Sequence, residues 1–371
     1  PVWTGEARCV HVALRLPAGQ AIDDVRAVFL NTSGTATEPG FLDRAGSLLA
    51  HAWGMTSEPF RPDPASAATV QPPIITRAGW GANEKMRRCD PDYADAVEMA
   101  YVHHTVNSNA YSRSRADDLV RGIYAYHVQG RKFCDIAYNF LIDRFGRIYE
   151  GRFGGIDQPV IGAHAMGFNT GSTGVAALGD LSSHRPPKRV IKAFRILLAW
   201  RLDVAHVRPT GTARMESGGG PTTKYDKGDE VTLPAVSAHK ETGYTSCPGR
   251  LSTKLRIIRR GAQSRGLPKI WDHTASPNPA PPGTTAIRFT ATLSQEMDWT
   301  IDIYHDLAPA SPYRSYSGRS ATIDVWWDRK PGTVDPLDPE AVAPPGTYTV
   351  SFRASEGSET ARDAVLSLTL Q

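Results

Sequence analysis

Three residues of this chain have the types and spacing of a catalytic zinc site. His103 follows Tyr101-Val, and His239 and Cys247 lie together far downstream. Two imidazoles and one thiolate leave the fourth position of tetrahedral Zn²⁺ open, as a catalytic rather than a structural site requires. Such a metal activates water or polarises a carbonyl. The three residues therefore predict a Zn²⁺ site, although a chain with 11 histidines also offers accidental pairings.

The sequence around these residues contains six motifs in a fixed order. They are Trp80-Gly-Ala, Tyr101–Thr105, Asp135–Phe140, Gly146–Arg152, Gly162–Asn169 and His239…Cys247-Pro-Gly249. The series resembles the peptidoglycan recognition protein family, whose enzymatic members are zinc N-acetylmuramoyl-L-alanine amidases. The resemblance implies hydrolysis of the amide between N-acetylmuramic acid and L-alanine in bacterial peptidoglycan, with muropeptides as ligands.

Two other functions are compatible with parts of the sequence. One is a peptidoglycan-binding receptor without catalysis, but such members typically lack the cysteine ligand, and both Cys247 and Tyr138 are present here. The other is a structural surface protein, which only the β-rich flanking regions favour. A cysteine-nucleophile hydrolase is conceivable, yet Cys-Pro-Gly with His239 eight positions earlier fits a metal better.

The resemblance also implies three catalytic residues. Tyr138 matches a tyrosine that faces the zinc-bound water, where its phenol would stabilise an oxyanion. Thr245 would donate a hydrogen bond to the tetrahedral intermediate, and His164 would contact substrate or transfer a proton. The alternatives are an ordinary core aromatic, a loop threonine and a packed histidine.

Three further residues are predicted to contact substrate. His104 must point to the opposite strand face from His103, so its role is either substrate contact or structural support. Asn169 contacts peptide or sugar, or only holds a turn. Arg152 ends the fourth motif. His127, at a helix end, is expected to pack or cap.

The elements that must position these residues alternate between strands and helices. The predicted strands are Met99–His104, Ile136–Ile142, Arg147–Tyr149 and Gly174–Leu178, and the predicted helices are Arg115–Val128, Arg189–Val207 and Leu251–Arg265. This order predicts an α/β fold with a central mixed β-sheet flanked by helices. The glycine-rich stretch Gly211–Gly228 is predicted to be a loop or flap.

The length of 371 residues predicts two or three domains. The predicted regions are a β-rich N-terminal module (1–56), a linker (57–73), the zinc amidase domain (74–268), a Pro-rich linker (269–285) and an immunoglobulin-like β-sandwich (286–371). The sandwich is expected to fold alone and to be dispensable for cleaving a soluble muropeptide. Its residues Trp299, Trp326 and Trp327 either fill its core or stack on sugars.

Four cysteines permit two disulfides, or fewer if Cys247 binds metal. The resemblance favours a Cys89–Cys134 bridge, which would tie the loop before the His103 strand to the strand carrying Tyr138. Cys9 is then a buried thiol, or its partner lies in sequence removed before Pro1.

Composition limits the remaining functions. The net charge of +4 is small for 371 residues, and basic residues form no long block, so no nucleic-acid partner is expected. No run of 18 apolar residues exists, which predicts no membrane span. The chain begins at Pro1, as a mature product would. We expect a monomeric, secreted, extracellular protein associated with the cell wall.

Overall fold

The computed structural model describes residues 69–306, 311–332 and 342–371. All of them belong to one structural unit, Ser33–Gln371. The predicted β-rich module of residues 1–56, including Cys9, and most of the predicted linker 57–73 lie outside the described residues. No helix in the described part of the chain has both the length and the apolar character needed to cross a membrane.

A six-stranded mixed sheet forms the centre of the first region. Its strands are β1 (Ile74–Ile75), β2 (Met99–His104), β3 (Phe140–Ile142), β4 (Ile148–Glu150), β5 (Ser172–Ala177) and β8 (Val236–Ala238). Their order is β1-β4-β3-β5-β2-β8. Only β3 and β4 run antiparallel, and all other neighbours are parallel. The predicted mixed sheet is confirmed.

Helices cover both faces of this sheet. The α-helices are α1 (Ala116–Ala125), α2 (Lys188–Val204) and α3 (Leu255–Gln263). Helix α1 continues into a π-helical turn, Tyr126–Gly130, and short 3₁₀ helices span Glu84–Met86, Arg113–Arg115, His239–Glu241 and Gly249–Lys254. All three predicted helices are therefore present, with ends that differ by several residues.

The alternation of side chains along β2 separates the core from the site. Ala100 and Val102 pack in the apolar core with α2 and α3. Tyr101 and His103 must lie on the opposite face, because successive side chains of a strand alternate. That face is covered by a smaller cluster which includes Tyr101 and Met215.

The stretch predicted as a loop, Gly211–Gly228, is partly a strand. Strand β6 (Thr212–Glu216) pairs antiparallel with β7 (Glu230–Pro234). Ala213 and Met215 are buried, whereas their neighbours in β6 are exposed. The loop prediction is therefore wrong for residues 212–216, where a short apolar alternation outweighs the glycines that follow it.

The C-terminal region forms a second sheet. Its strands are β9 (Ile270–Ser276), β10 (Ile287–His305), β11 (Arg314–Trp327), β12 (Gly346–Glu356), β13 (Glu359–Thr360) and β14 (Ala364–Leu370). Strand β10 pairs with β11 on one side. On its other side its first half pairs with β9 and its second half with β12. Residues 286–371, predicted to be a β-sandwich, thus contain β-strands, and the immunoglobulin-like assignment stays a prediction.

The predicted Pro-rich linker of residues 269–285 is wrong over its first part, which forms β9. Ile270 and Trp271 are buried, so apolar burial favours strand pairing before the first proline of this stretch, Pro277. Lys269 is buried against α2, where its Nζ donates to the carbonyl of Ala199 at 3.1 Å. The connection therefore packs against the first region instead of spacing the two regions apart.

The predicted Cys89–Cys134 disulfide is confirmed, with 5.6 Å between the two Cα atoms. It joins the segment before β2 to the segment before β3. Cys247 is a buried free thiol.

Candidate metal centre

Two adjacent strands bring the predicted histidine ligands together. Strands β2 and β8 are parallel neighbours, with Val102 opposite Ala238. His103 follows Val102, and His239 follows Ala238, so both imidazoles leave the same edge of the sheet. Cys247 approaches from the loop after His239, and its Sγ accepts a hydrogen bond from the His104 amide at 3.4 Å.

The three side chains converge with spacing that suits a metal ion. The donor atoms of His103, His239 and Cys247 all lie within 4.8 Å of one another. His103 Nδ1 is 3.7 Å from Cys247 Sγ, and two such ligands on tetrahedral zinc are about 3.5 Å apart. No other group of three such side chains among the described residues meets this criterion. The residues therefore fit a zinc ion after small side-chain adjustments.

Burial sets the protonation of the three ligands. It holds the pKa of His103 well below its usual value, helped by neighbouring His164 and His239. It lowers the pKa of His239 to about 4. Both imidazoles are neutral at pH 7 and offer lone pairs. Burial also raises the pKa of the Cys247 thiol to about 12, so binding of a cation must release its proton.

His164 supports His103 from behind. Its Nδ1 lies 3.1 Å from His103 Nε2, which leaves His103 Nδ1 directed at the cluster. Its ring is held against Gly162 and Gly174, where an added Cβ would overlap the imidazole Cδ2. Burial lowers the pKa of His164 to about 3, so the neutral ring can accept a hydrogen bond from His103.

Tyr138 lies beside the same cluster. Its ring centroid is 5.3 Å from that of His103 and 5.5 Å from that of His127. Burial, with a smaller contribution from Cys247, raises the pKa of its phenol above the usual value. Tyr138 therefore keeps its proton at neutral pH and can donate a hydrogen bond into the site.

Residues 93–250 match the sequence family described as N-acetylmuramoyl-L-alanine amidase. A peptidoglycan-recognition protein of Drosophila simulans is 32% identical over 177 residues, which cover 48% of this chain and 81% of the relative. The chain belongs to the peptidoglycan recognition protein family.

The chain is also similar to a longer human protein and to a solved Drosophila structure. Human peptidoglycan recognition protein 4 is 28% identical over 133 residues, which cover 36% of this chain and 34% of the relative. The chain thus spans about a third of that longer protein. The solved structure of Drosophila PGRP-LB is 25% identical and has a TM-score of 0.39, covering 49% of this chain and 92% of that chain.

The other residues predicted from the family motifs have different surroundings. Thr245 is exposed, and its Oγ1 accepts a hydrogen bond from the Cys247 amide at 3.1 Å. Asn169 holds a turn, since its Oδ1 accepts from the amides of His164 and Ala165. Arg152 is partly buried and donates to the carbonyl of Ile136 at 3.3 Å. Catalytic roles for Thr245 and His164, and substrate contact by Arg152, stay predictions.

His104 has the surroundings of a structural residue, and its contact with substrate stays a prediction. Its side chain points away from the cluster and is only 3% exposed. Its Nδ1 accepts a hydrogen bond from the Leu181 amide at 3.0 Å, so it supports the adjacent loop. His127 packs, one of its two expected roles: its ring lies 5.7 Å from that of Phe133, and its Nδ1 accepts from the Ala137 amide at 3.1 Å.

One supporting interaction was not foreseen from the sequence. Thr242, in the ligand loop, donates through its hydroxyl to Tyr101 Oη at 3.1 Å. The Tyr101 ring contacts both His103 and His164, with centroid distances of 6.1 and 6.0 Å. The alternation of β2, which places Tyr101 on the same face as His103, was the available signal.

Proposed function

We propose that this chain is a zinc-dependent N-acetylmuramoyl-L-alanine amidase that hydrolyses bacterial peptidoglycan. The observation that carries the proposal is the convergence of His103, His239 and Cys247, with all donor atoms within 4.8 Å, beside the phenol of Tyr138. The matched family description of residues 93–250 agrees with this chemistry.

His103, His239 and Cys247 would hold the zinc ion. When bound, zinc supplies a Lewis acid that polarises a carbonyl and makes water a better nucleophile at neutral pH. His164 fixes the tautomer of His103 by accepting its Nε2 proton in a hydrogen bond, which leaves the Nδ1 lone pair directed at the cluster.

Tyr138 acts on the substrate oxygen. A protonated phenol in a partly buried site donates to the negative charge that develops on the scissile carbonyl during attack. Thr245, on the exposed loop beside Cys247, would donate a hydrogen bond to the same oxygen in the tetrahedral intermediate. Both groups would stabilise the transition state more than the ground state.

The proposed substrate is intact peptidoglycan or a soluble muropeptide, which places the protein outside the cell and at the wall. The names of its relatives refer to peptidoglycan recognition. The confirmed disulfide suits an oxidising compartment. We propose that it acts as a secreted monomer.

Metal analysis combined with muropeptide digestion tests this function. We expect one zinc per chain and release of the stem peptide. Cys247→Ser should lose zinc and turnover together while remaining folded, and Tyr138→Phe should keep zinc but lose about 10²–10³ in rate. Tyr304→Phe, in the C-terminal sheet, is the matched control and should retain the full rate.

Two results would contradict the amidase. A Cys247→Ser protein with full zinc and normal turnover would remove that ligand from the proposal. A wild-type protein that binds muropeptide and zinc but leaves the amide intact would be a receptor.

A further inference from the structure

A buried arginine of helix α2 forms no ion pair with the described part of the chain. Arg201 is 2% exposed, and its guanidinium donates to the carbonyl of Gln158 at 2.8 Å. No carboxylate of the described residues lies within 4.0 Å of it. Arginines are almost never fully buried unless they are paired, because a buried charge loses its hydration. A counter-charge close to Arg201 is therefore expected.

The acidic residues around Arg201 compensate its charge only in part. Burial lowers the pKa of Arg201 to about 10, and Asp157 opposes this shift from a distance. Asp157 is exposed, so water and salt screen its charge. Asp95 and Glu98 line a surface groove that also reaches Arg201, but neither pairs with it. Arg201 thus stays protonated at pH 7 without a direct ionic partner among these residues.

Arg201 lines a small cavity together with Thr173 of β5. The cavity measures about 10 Å³, which is roughly the space of one water molecule. Thr173 is 2% exposed, and its Oγ1 has no hydrogen-bond partner within the described part of the chain. A buried hydroxyl without a partner is unfavourable. An unpaired charge and an unpartnered hydroxyl therefore border the same small space.

The strand register places both groups on the same side of the sheet. Thr173 lies two residues before Val175 in β5, so their side chains share one face. Val175 packs in the apolar core with Leu197 of α2, and Arg201 follows Leu197 by about one helical turn. This face is opposite to that of His103. The rest of the wall includes the apolar side chains of Val97, Phe140 and Ile156.

The other polar side chains of the wall add no negative charge. Asn139 donates to the carbonyl of Val160 and accepts from the Gly174 amide, both at 2.8 Å. Arg152 donates to the carbonyl of Ile136 at 3.3 Å. None of the described residues that line the cavity is a carboxylate. A small space with a cation, a free hydroxyl and no acid suits a small anion.

We propose that this cavity binds one monatomic anion, chloride under physiological conditions. Arg201 provides the positive charge, and the hydroxyl of Thr173 donates a hydrogen bond to the ion. The bound ion compensates the buried guanidinium and connects β5 to the loop that contains Gln158. The site lies on the opposite face of the sheet from His103 and does not depend on the amidase proposal.

Urea unfolding of the full chain, with chloride exchanged for gluconate at constant ionic strength, tests this site. An ion that binds only the folded state raises its stability as the ion concentration increases. We therefore expect the urea midpoint to rise with chloride. Broadening of the ³⁵Cl nuclear magnetic resonance signal by the folded protein measures the binding directly.

Two variants assign the binding to the cavity. Thr173→Val keeps the shape of the side chain, removes the hydroxyl and should weaken chloride binding at least about fivefold. Arg201→Met should abolish it. Thr322→Val, on the exposed face of β11, is the matched control and should respond to chloride as the wild type does. Thr173→Val leaves the metal centre intact, so its difference from the wild type reports on the cavity alone.

The opposite results are equally distinct. A cavity that holds only water would make the wild-type midpoint equal in chloride and gluconate, and Thr173→Val would then be neutral or more stable in both salts. That result overturns the proposal, as does a folded Thr173→Val protein that binds chloride with wild-type affinity. If Arg201→Met does not fold, Thr173→Val decides the result. Muropeptide hydrolysis is measured separately and can succeed or fail with either outcome.

Discussion

The central region buries several charged side chains, whereas most charged side chains of the C-terminal sheet are exposed. In the central region Arg77 is 4% exposed and pairs with Asp135 at 3.2 Å, whose side chain is 3% exposed. On the C-terminal sheet Arg319 is 44% exposed and lies near three carboxylates. The C-terminal core beneath is formed almost wholly by apolar side chains.

This difference in charge burial follows from the loops that the central region must hold in place near Tyr138. Asp135 lies three residues before Tyr138, and its carboxylate also accepts from the amides of Ile136 and Phe153. The buried carboxylate thus provides hydrogen-bond acceptors for backbone amides of loops. Without it, these amides would be buried away from water with no partner. The C-terminal sheet satisfies its backbone by strand pairing, so its charges can remain at the surface.

The largest expected effect comes from breaking the buried pair. Asp135→Ala leaves the buried Arg77 guanidinium with Glu84, whose side chain is 44% exposed, as its remaining ionic partner, and removes the acceptor of the Ile136 and Phe153 amides. We expect the free energy of unfolding to fall by about 3–5 kcal/mol. Urea unfolding of the full chain, followed by near-ultraviolet circular dichroism, measures this. Arg319→Ala on the exposed network is the control and should shift the midpoint little. If both variants lost the same free energy of unfolding, the buried and the exposed ion pairs would contribute equally to stability, and the proposed difference between the regions would be wrong.

A smaller effect is expected at the junction between the regions. Lys269 and Asp203 are each 1% exposed, with 3.7 Å between Nζ and Oδ1. Lys269→Met should cost about 1.5–3 kcal/mol, because Asp203 keeps the Thr69 amide and Arg362 as partners. Thermal unfolding measures it, with Lys188→Met on the exposed start of α2 as the control. An unchanged transition would mean that the Lys269 contacts do not stabilise the junction between the two regions.

The smallest change in stability is expected at Gly174. Substitution there should also lower the affinity of the metal centre for zinc. In Gly174→Ala the added methyl must displace His164, which costs about 1–3 kcal/mol and releases the support behind His103. Zinc affinity, measured by competition with a chelator, should fall. The matched variant Gly122→Ala is exposed in α1 with open space around it and should be neutral or stabilising by up to about 1 kcal/mol. Unchanged zinc affinity in Gly174→Ala would mean that His164 does not support the ligand.

Much of the central region could be predicted because its signals are local. The strand Met99–His104 and the helix that begins near Arg115 were predicted from short segments, while the resemblance indicated the ligands and the disulfide. Predictions became wrong where two local signals competed. Glycines in Gly211–Gly228 concealed the alternation of β6, and prolines after Ser276 concealed β9. The partner of His104 could not be predicted, because the Leu181 amide is 77 residues away.

The sequence by itself determined the types of the donor groups, their order along the chain and the strand that carries His103. Local propensities and side-chain periodicity encode these features over a few residues. Only the tertiary structure decided that His103 Nδ1 faces Cys247 across 144 residues of chain, while Nε2 faces His164. It also decided that Trp326 is exposed whereas Trp327 fills the core. Such choices depend on the packing of distant segments, which no short pattern of residues specifies.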